Sequence, residues 1–113
     1  MYRIAPLLSA ALLGFVAFSA GADQAPIEID IRAQAFVPAE IKVPAGVKVE
    51  LHVVNSDDLP AEFESYDLSR EIVVPAHGQV KVFIGPLDPG RYRFFNDFHQ
   101  ESEGWVVVAG DKK

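Results

Sequence analysis

Hydrophobic residues recur at every second position along most of this chain. "IEIDIRAQAF" reads as one run that sets Ile27, Ile29 and Ile31 against Glu28, Asp30 and Arg32. "VKVELHVVN" sets Val47, Val49, Leu51 and Val53 against Lys48, Glu50, His52 and Val54. "QVKVFIG" puts Val80, Val82 and Ile84 on one side, and "RYRFFN" puts Tyr92 and Phe94 opposite Arg91, Arg93 and Phe95. A period of two is the signature of a strand with one face in a core. "WVVVA", near the end, predicts a short strand buried on both faces. Turn-forming groups separate these runs: Pro44-Ala45-Gly46, Asn55 to Asp58, Pro75 to Gly78 and Pro86 to Gly90. The pattern predicts an all-β sandwich or small barrel of about seven to eight strands. No helix is expected beyond one turn in "SYDLSRE".

The chain has 113 residues, enough for one domain. Its first part reads as a leader. Arg3 precedes an apolar run from Leu7 to Phe18, and Ala20-Gly21-Ala22 has the small-residue pattern of a cleavage site. The run is shorter than the ~20 residues of a membrane span. Cleavage after Ala22 is expected, giving a signal peptide at 1–22, a domain at 23–113, and an exported protein with no membrane insertion. Loss of the leader removes Arg3 and no acidic group, taking the formal charge from −6 to −7. Such acidity disfavours nucleic acid and anionic membranes and suits a cation. Cysteine is absent, which excludes thiol catalysis, thiolate copper and Cys-based zinc sites.

Two stretches carry candidate chemistry. "FFNDFHQESEGW" collects Asn96, Asp97, His99, Glu101 and Glu103 before the last apolar run. If extended, it would line Asp97 and His99 on one face, with Glu101 and Glu103 continuing the spacing. Gly104 would allow a tight return into Trp105. Imidazole with carboxylates is a ligand set for Fe(II), Zn(II), Mn(II) or Cu(II); a polar loop capping the sandwich is the bland alternative. In "AEFESYDLSRE", Glu62 and Glu64 flank Phe63, so Phe63 faces the core and both glutamates face away. Their repulsion would be relieved by a bound cation or by Arg70. Glu71 and Asp67 are nearby but no motif directs them. His52 reads as a surface residue and His77 as a turn residue. Nucleophile-elbow, phosphate-loop and zincin motifs are all missing.

The order of these pieces resembles a known family. "FVPAEIKVPAGVKVELHVVNSDD" is similar to the opening of a cupredoxin domain, and "VVPAHGQVKVFIGPLDPGRYRFFNDFH…GWVVV" to its closing half. The resemblance spans Ile27 to Ala109 and implies a cupredoxin-like Greek-key β-sandwich. Blue-copper members use two His, a Cys and usually a Met. Here the first-His region reads Pro60 to Glu64, the Cys place falls near Asn96 and the Met place near Glu103, leaving His99 alone. A blue-copper centre is therefore excluded.

"EFES", "DLSRE" and "FFNDFH" resemble the cupredoxin-like components of bacterial periplasmic ferrous-iron uptake systems, of the EfeO N-terminal and FtrB types. That resemblance implies a periplasmic protein binding iron and/or copper, with an iron permease and other iron-uptake components as partners. It implies Glu62, Asp97 and His99 as ligands, with Glu64, Glu71, Glu101 and Glu103 as second choices. A role beside a ferroxidase is the enzymatic expectation. Two alternatives stand: a metal-free interaction module of a transport complex, with Trp105 and the phenylalanines of "FFNDF" as contacts, or an electron carrier. The second is disfavoured because no Cys exists and the lone Met1 leaves with the leader.

Overall fold

The computed structural model describes residues 25–110, so the expected leader lies outside the described residues. Nine strands form two sheets: β1 (Ile27–Arg32), β2 (Ala35–Val37), β3 (Glu40–Val43), β4 (Val49–Asn55), β5 (Ala61–Ser65), β6 (Arg70–Val74), β7 (Gln79–Ile84), β8 (Gly90–Asn96) and β9 (His99–Val108). One sheet has the order β2-β1-β4-β7 and the other β3-β9-β8-β5-β6. β1 pairs parallel with β4, and β3 with β9; the remaining pairs are antiparallel. Among the described residues no helix is long and apolar enough to cross a membrane.

The alternating residues do what the sequence predicts. Ile29, Ile31, Leu51, Val53, Val82 and Ile84 come from one sheet and Ile41, Phe63, Phe94 and Val106 from the other, all buried in one core. Burying each such side chain contributes about 1.5–3 kcal/mol. Phe36, Phe63 and Phe94 pack together at the heart of this core. Phe36 meets Phe94 edge-on at 4.9 Å, and Phe63 stacks on Phe94 at 5.0 Å. Both are favoured ring arrangements.

Four local expectations change. The strand count rises to nine because "IEIDIRAQAF" is a hairpin, not one strand: Ala33 and Gln34 both take positive φ, and Ile31 pairs with Phe36. The second alternating run begins at Val49, Val47 being exposed. "WVVV" is half-buried on its outer face, at Trp105 and Val107. Gly104 is not a loop terminus but lies within β9. A Cβ there would collide with the Phe94 ring and come within 2.6 Å of the Ala39 carbonyl oxygen, so the position needs a missing side chain. "SYDLSRE" contains the turn Tyr66 to Ser69, closed by the Ser69 amide donating to the Tyr66 carbonyl at 3.2 Å.

Strand pairing places the end of β1 with the end of β4, the start of β5 with the end of β6, and the end of β8 against β5. The 33–34 turn, the loop 56–60 and the 97–98 turn therefore gather at one end. Buried Asn55 ties the sheets there, donating from Nδ2 to the carbonyls of Leu59 (2.8 Å) and Val74 (3.1 Å).

Candidate metal site

β5 begins where the loop 56–60 delivers the chain to the five-stranded sheet. Ala61, Phe63 and Ser65 point inward and are buried; Glu62 and Glu64 point to the outer face, as the period-two reading expects. Glu62 is nevertheless only 8% exposed. β6 lies alongside in register, with Val73 opposite Glu62 and Glu71 opposite Glu64. Across the other flank, Phe95 of β8 is paired with Glu64. The Asp97 amide donates to the Glu62 carbonyl at 3.0 Å, which brings Asp97 beside Glu62.

Carboxylate oxygens of Glu62, Glu64 and Asp97 thus lie within 4.8 Å of one another. Glu71 completes the surroundings: burial first, then hydrogen bonding and repulsion involving Glu71 and Asp97, pushes the Glu62 carboxyl up to about 7. Burial and the same two neighbours also raise Glu64. Like charges in a partly desolvated place cannot all ionise cheaply.

Neither nearby arginine neutralises the group. Arg70 spends its guanidinium on backbone carbonyls, those of Phe83 (2.8 Å), Ser69 (2.9 Å) and Leu68 (3.3 Å). Arg93 donates to Glu103 Oε1 at 2.6 Å and lies over the Phe95 ring at 4.6 Å. No ion pair to Glu62, Glu64, Glu71 or Asp97 forms among the described residues. Of the two expected ways to relieve the glutamates, Arg70 is occupied, which leaves a proton or a cation.

The other sequence candidates sit elsewhere. Asp97 and Phe98 form the turn between β8 and β9, so Asp97 and His99 do not share one extended face. The pairing jumps from Phe95–Glu103 to Asn96–His99, an irregularity that bulges Gln100, Glu101 and Ser102. His99, about one-third exposed, has Nε2 3.5 Å from a Glu101 carboxylate oxygen and lies outside the three-carboxylate group. Glu103 is paired with Arg93. Gln100 donates to Asp97 Oδ1 at 2.7 Å and orients that carboxylate. His52 bonds Glu50 and His77 bonds Asp58 (2.6 Å). Asp67 accepts from the Arg93 amide at 2.9 Å. No sequence motif directs Glu71 to the site. Treating Tyr66 to Ser69 as the hairpin turn puts Glu71 opposite Glu64, and that count along the chain is the signal that finds it.

Asn96, near the place of the blue-copper Cys, is fully buried. Its Oδ1 accepts from the Glu62 and Phe98 amides (3.0 and 3.1 Å), and Nδ2 donates to the Gln34 carbonyl at 3.3 Å. The phenylalanine cluster packs the interior nearby. With no cysteine in the chain and Asn96 committed to the backbone, the residues do not fit a thiolate copper centre. The carboxylate group suits a harder cation.

Comparison with known proteins agrees on the architecture. The metal-binding domain of the Cu(I)-exporting P-type ATPase CopA of Streptococcus pneumoniae D39, determined with Cu(I), aligns with a TM-score of 0.66 at 16% identity, over 75% of this chain and 85% of that one. A Cu(I) amicyanin variant aligns at 0.62 and 19% identity, over 80% and 90%. A purple cupredoxin from Nitrosopumilus maritimus aligns at 0.55 and 20% identity, over 74% and 99%. An uncharacterized protein of Rickettsia prowazekii (strain Madrid E) is 41% identical over 83 residues, 73% of this chain and 66% of that protein's length. The family model for the cupredoxin-like domain matches residues 4–108. The chain belongs to the cupredoxin-like domain family.

Proposed function

We propose that this protein is an exported, periplasmic metal-binding cupredoxin-like domain that takes iron and/or copper without a Cys ligand and assists ferrous-iron uptake. The observation that carries the reading is the uncompensated carboxylate group of Glu62, Glu64 and Asp97, with Glu62 nine-tenths buried and no cationic side chain bonded to it among the described residues. Asp97 and Glu62 are two of the three ligands implied by the family resemblance. His99, the third implied ligand, follows two residues after Asp97 but lies outside the three-carboxylate group, beside Glu101; Glu71, Glu101 and Glu103 remain the outlying acidic choices. Carboxylate oxygens are hard donors and favour Fe(III) over Fe(II). Binding Fe(II) here would thus ease its loss of one electron to a one-electron acceptor supplied by the uptake system. The copper proteins among the structural neighbours support copper as a second candidate, held by imidazole and carboxylates rather than thiolate. An iron permease and the remaining uptake components are the proposed partners.

A second reading, a metal-free interaction module, draws on the exposed side chains around the same group. Phe98 is 51% and Tyr66 74% exposed, and Tyr66 packs edge-on against Phe95 at 5.5 Å. Trp105 is a weaker contact candidate, being covered by Arg91 at 4.7 Å. Titration of metal-free protein with Fe(II) and with Cu(II), beside an Asp97→Ala, His99→Ala double variant, separates the readings. The metal-site reading expects stoichiometric binding that the double variant weakens at least tenfold. Equal, weak binding by both proteins would favour the interaction module.

A further inference from the structure

Among the described residues, Asn96 is the side chain that joins the three segments meeting behind the carboxylate group. One oxygen, Oδ1, receives the amide of Glu62 on β5 and the amide of Phe98 in the β8–β9 turn. Asp97 lies between the two anchored positions, and its own amide returns to the Glu62 carbonyl. Short links thus close a ring: Asn96 to Glu62, Glu62 to Asp97, and Phe98 back to Asn96. Nδ2 fastens the ring to the Gln34 carbonyl in the β1–β2 turn, where Asp57 Oδ1 and Oδ2 hold the Ala33 and Gln34 amides at 2.8 and 2.7 Å. Asn96 has no solvent exposure, so water cannot take over these bonds without the turn opening.

The consequence for the site is geometric. Glu62 lies on β5 and Asp97 in the turn after β8, just past the regular ladder, whose β5–β8 register stops at Phe63–Asn96. Beyond that pair a single backbone bond, the Asp97 amide to the Glu62 carbonyl, joins the two segments, and the asparagine side chain holds the Glu62 and Phe98 amides on either side of it. We infer that Asn96 is a positioning residue for the outer-face cation site, fixing the separation of the Glu62 and Asp97 carboxylates from behind while touching no cation itself. The inference rests on the carboxylate reading proposed above. It also gives the buried position near the blue-copper Cys a different role. An amide there both accepts from and donates to the backbone, where a thiol would leave the Glu62 and Phe98 amides without a strong acceptor.

The test uses Mn(II) as a redox-stable probe and the mature protein. Asn96→Ala is compared with Asn96→Asp, which keeps an acceptor oxygen for both amides, and with Val49→Ala. Val49 is buried at the start of β4, opposite Ile84, about 20 Å of strand from the site end. Asn96→Ala should weaken Mn(II) binding at least tenfold, Asn96→Asp should restore it to within about threefold, and Val49→Ala should lose stability yet keep wild-type affinity. Amide hydrogen exchange without metal supplies a measurement that needs no variant to fold. In the wild type, the Glu62 and Phe98 amides should exchange far more slowly than that of exposed Gln100. Wild-type Mn(II) affinity in Asn96→Ala, equal loss in Val49→Ala, or Glu62 and Phe98 amides exchanging as fast as Gln100 would each overturn the inference. If the wild type binds no Mn(II) while the two amides stay slow, the metal reading falls and the clamp stands.

Discussion

Asp57 and Glu62 lie five residues apart at the same end of the sandwich, and their carboxylates have opposite circumstances. Asp57 accepts two backbone amides, from Ala33 and Gln34, and holds a turn in which both residues have positive φ. Ala and Gln have no intrinsic taste for that conformation, so a distant acidic side chain compensates for it. Among the described residues no amide donor reaches the Glu62 carboxylate: its neighbours are Glu64, Glu71 and Asp97. An acidic group saturated by amide donors is architecture. One surrounded by its own kind is a place where a proton or cation belongs.

That contrast predicts how the two respond to change. Asp57→Ala strands two amides in a strained turn and should cost about 2–4 kcal/mol in denaturant unfolding. A loss below about 1 kcal/mol would mean the turn holds itself. The smallest effect belongs to a third arrangement, the exposed pair Arg93–Glu103 with Arg93 over Phe95. Arg93→Ala should cost about 0.5–1 kcal/mol and less in high salt, because its charge is paired at the surface. A larger loss would place Arg93 with Asp57 rather than with ordinary surface pairs.

The same two regions show how far the sequence can be read. Alternation locates β1, β4, β5, β7 and β8, and it assigns Phe63 inward and Glu62 and Glu64 outward. These features depend on local periodicity, which burial enforces. The β1–β2 hairpin escapes notice because "AQ" carries no turn signal; its conformation is imposed by Asp57, more than twenty residues away. The Asp97–His99 face fails for a related reason: the chain reverses at Asp97 and Phe98 instead of staying extended. Arg70 is close enough in sequence to partner the glutamates, but backbone carbonyls claim it first. Asn96 is visible in the sequence as a residue and invisible as a link, since its three bonds reach segments 2, 34 and 62 positions away.

Stability of the metal-free protein against pH, with and without Mn(II), tests the uncompensated group most directly. Below about 4.5 the Glu62 carboxyl is protonated whether the chain is folded or not; between there and about 7 only the folded protein keeps the proton. Stability therefore falls as pH rises through that window and stays low above it. From pH 5 to pH 8 the wild type should lose on the order of 1–2 kcal/mol more than Glu62→Gln, and saturating Mn(II) at pH 8 should restore it in the wild type alone. A wild-type profile that parallels Glu62→Gln and gains nothing from Mn(II) would contradict the account.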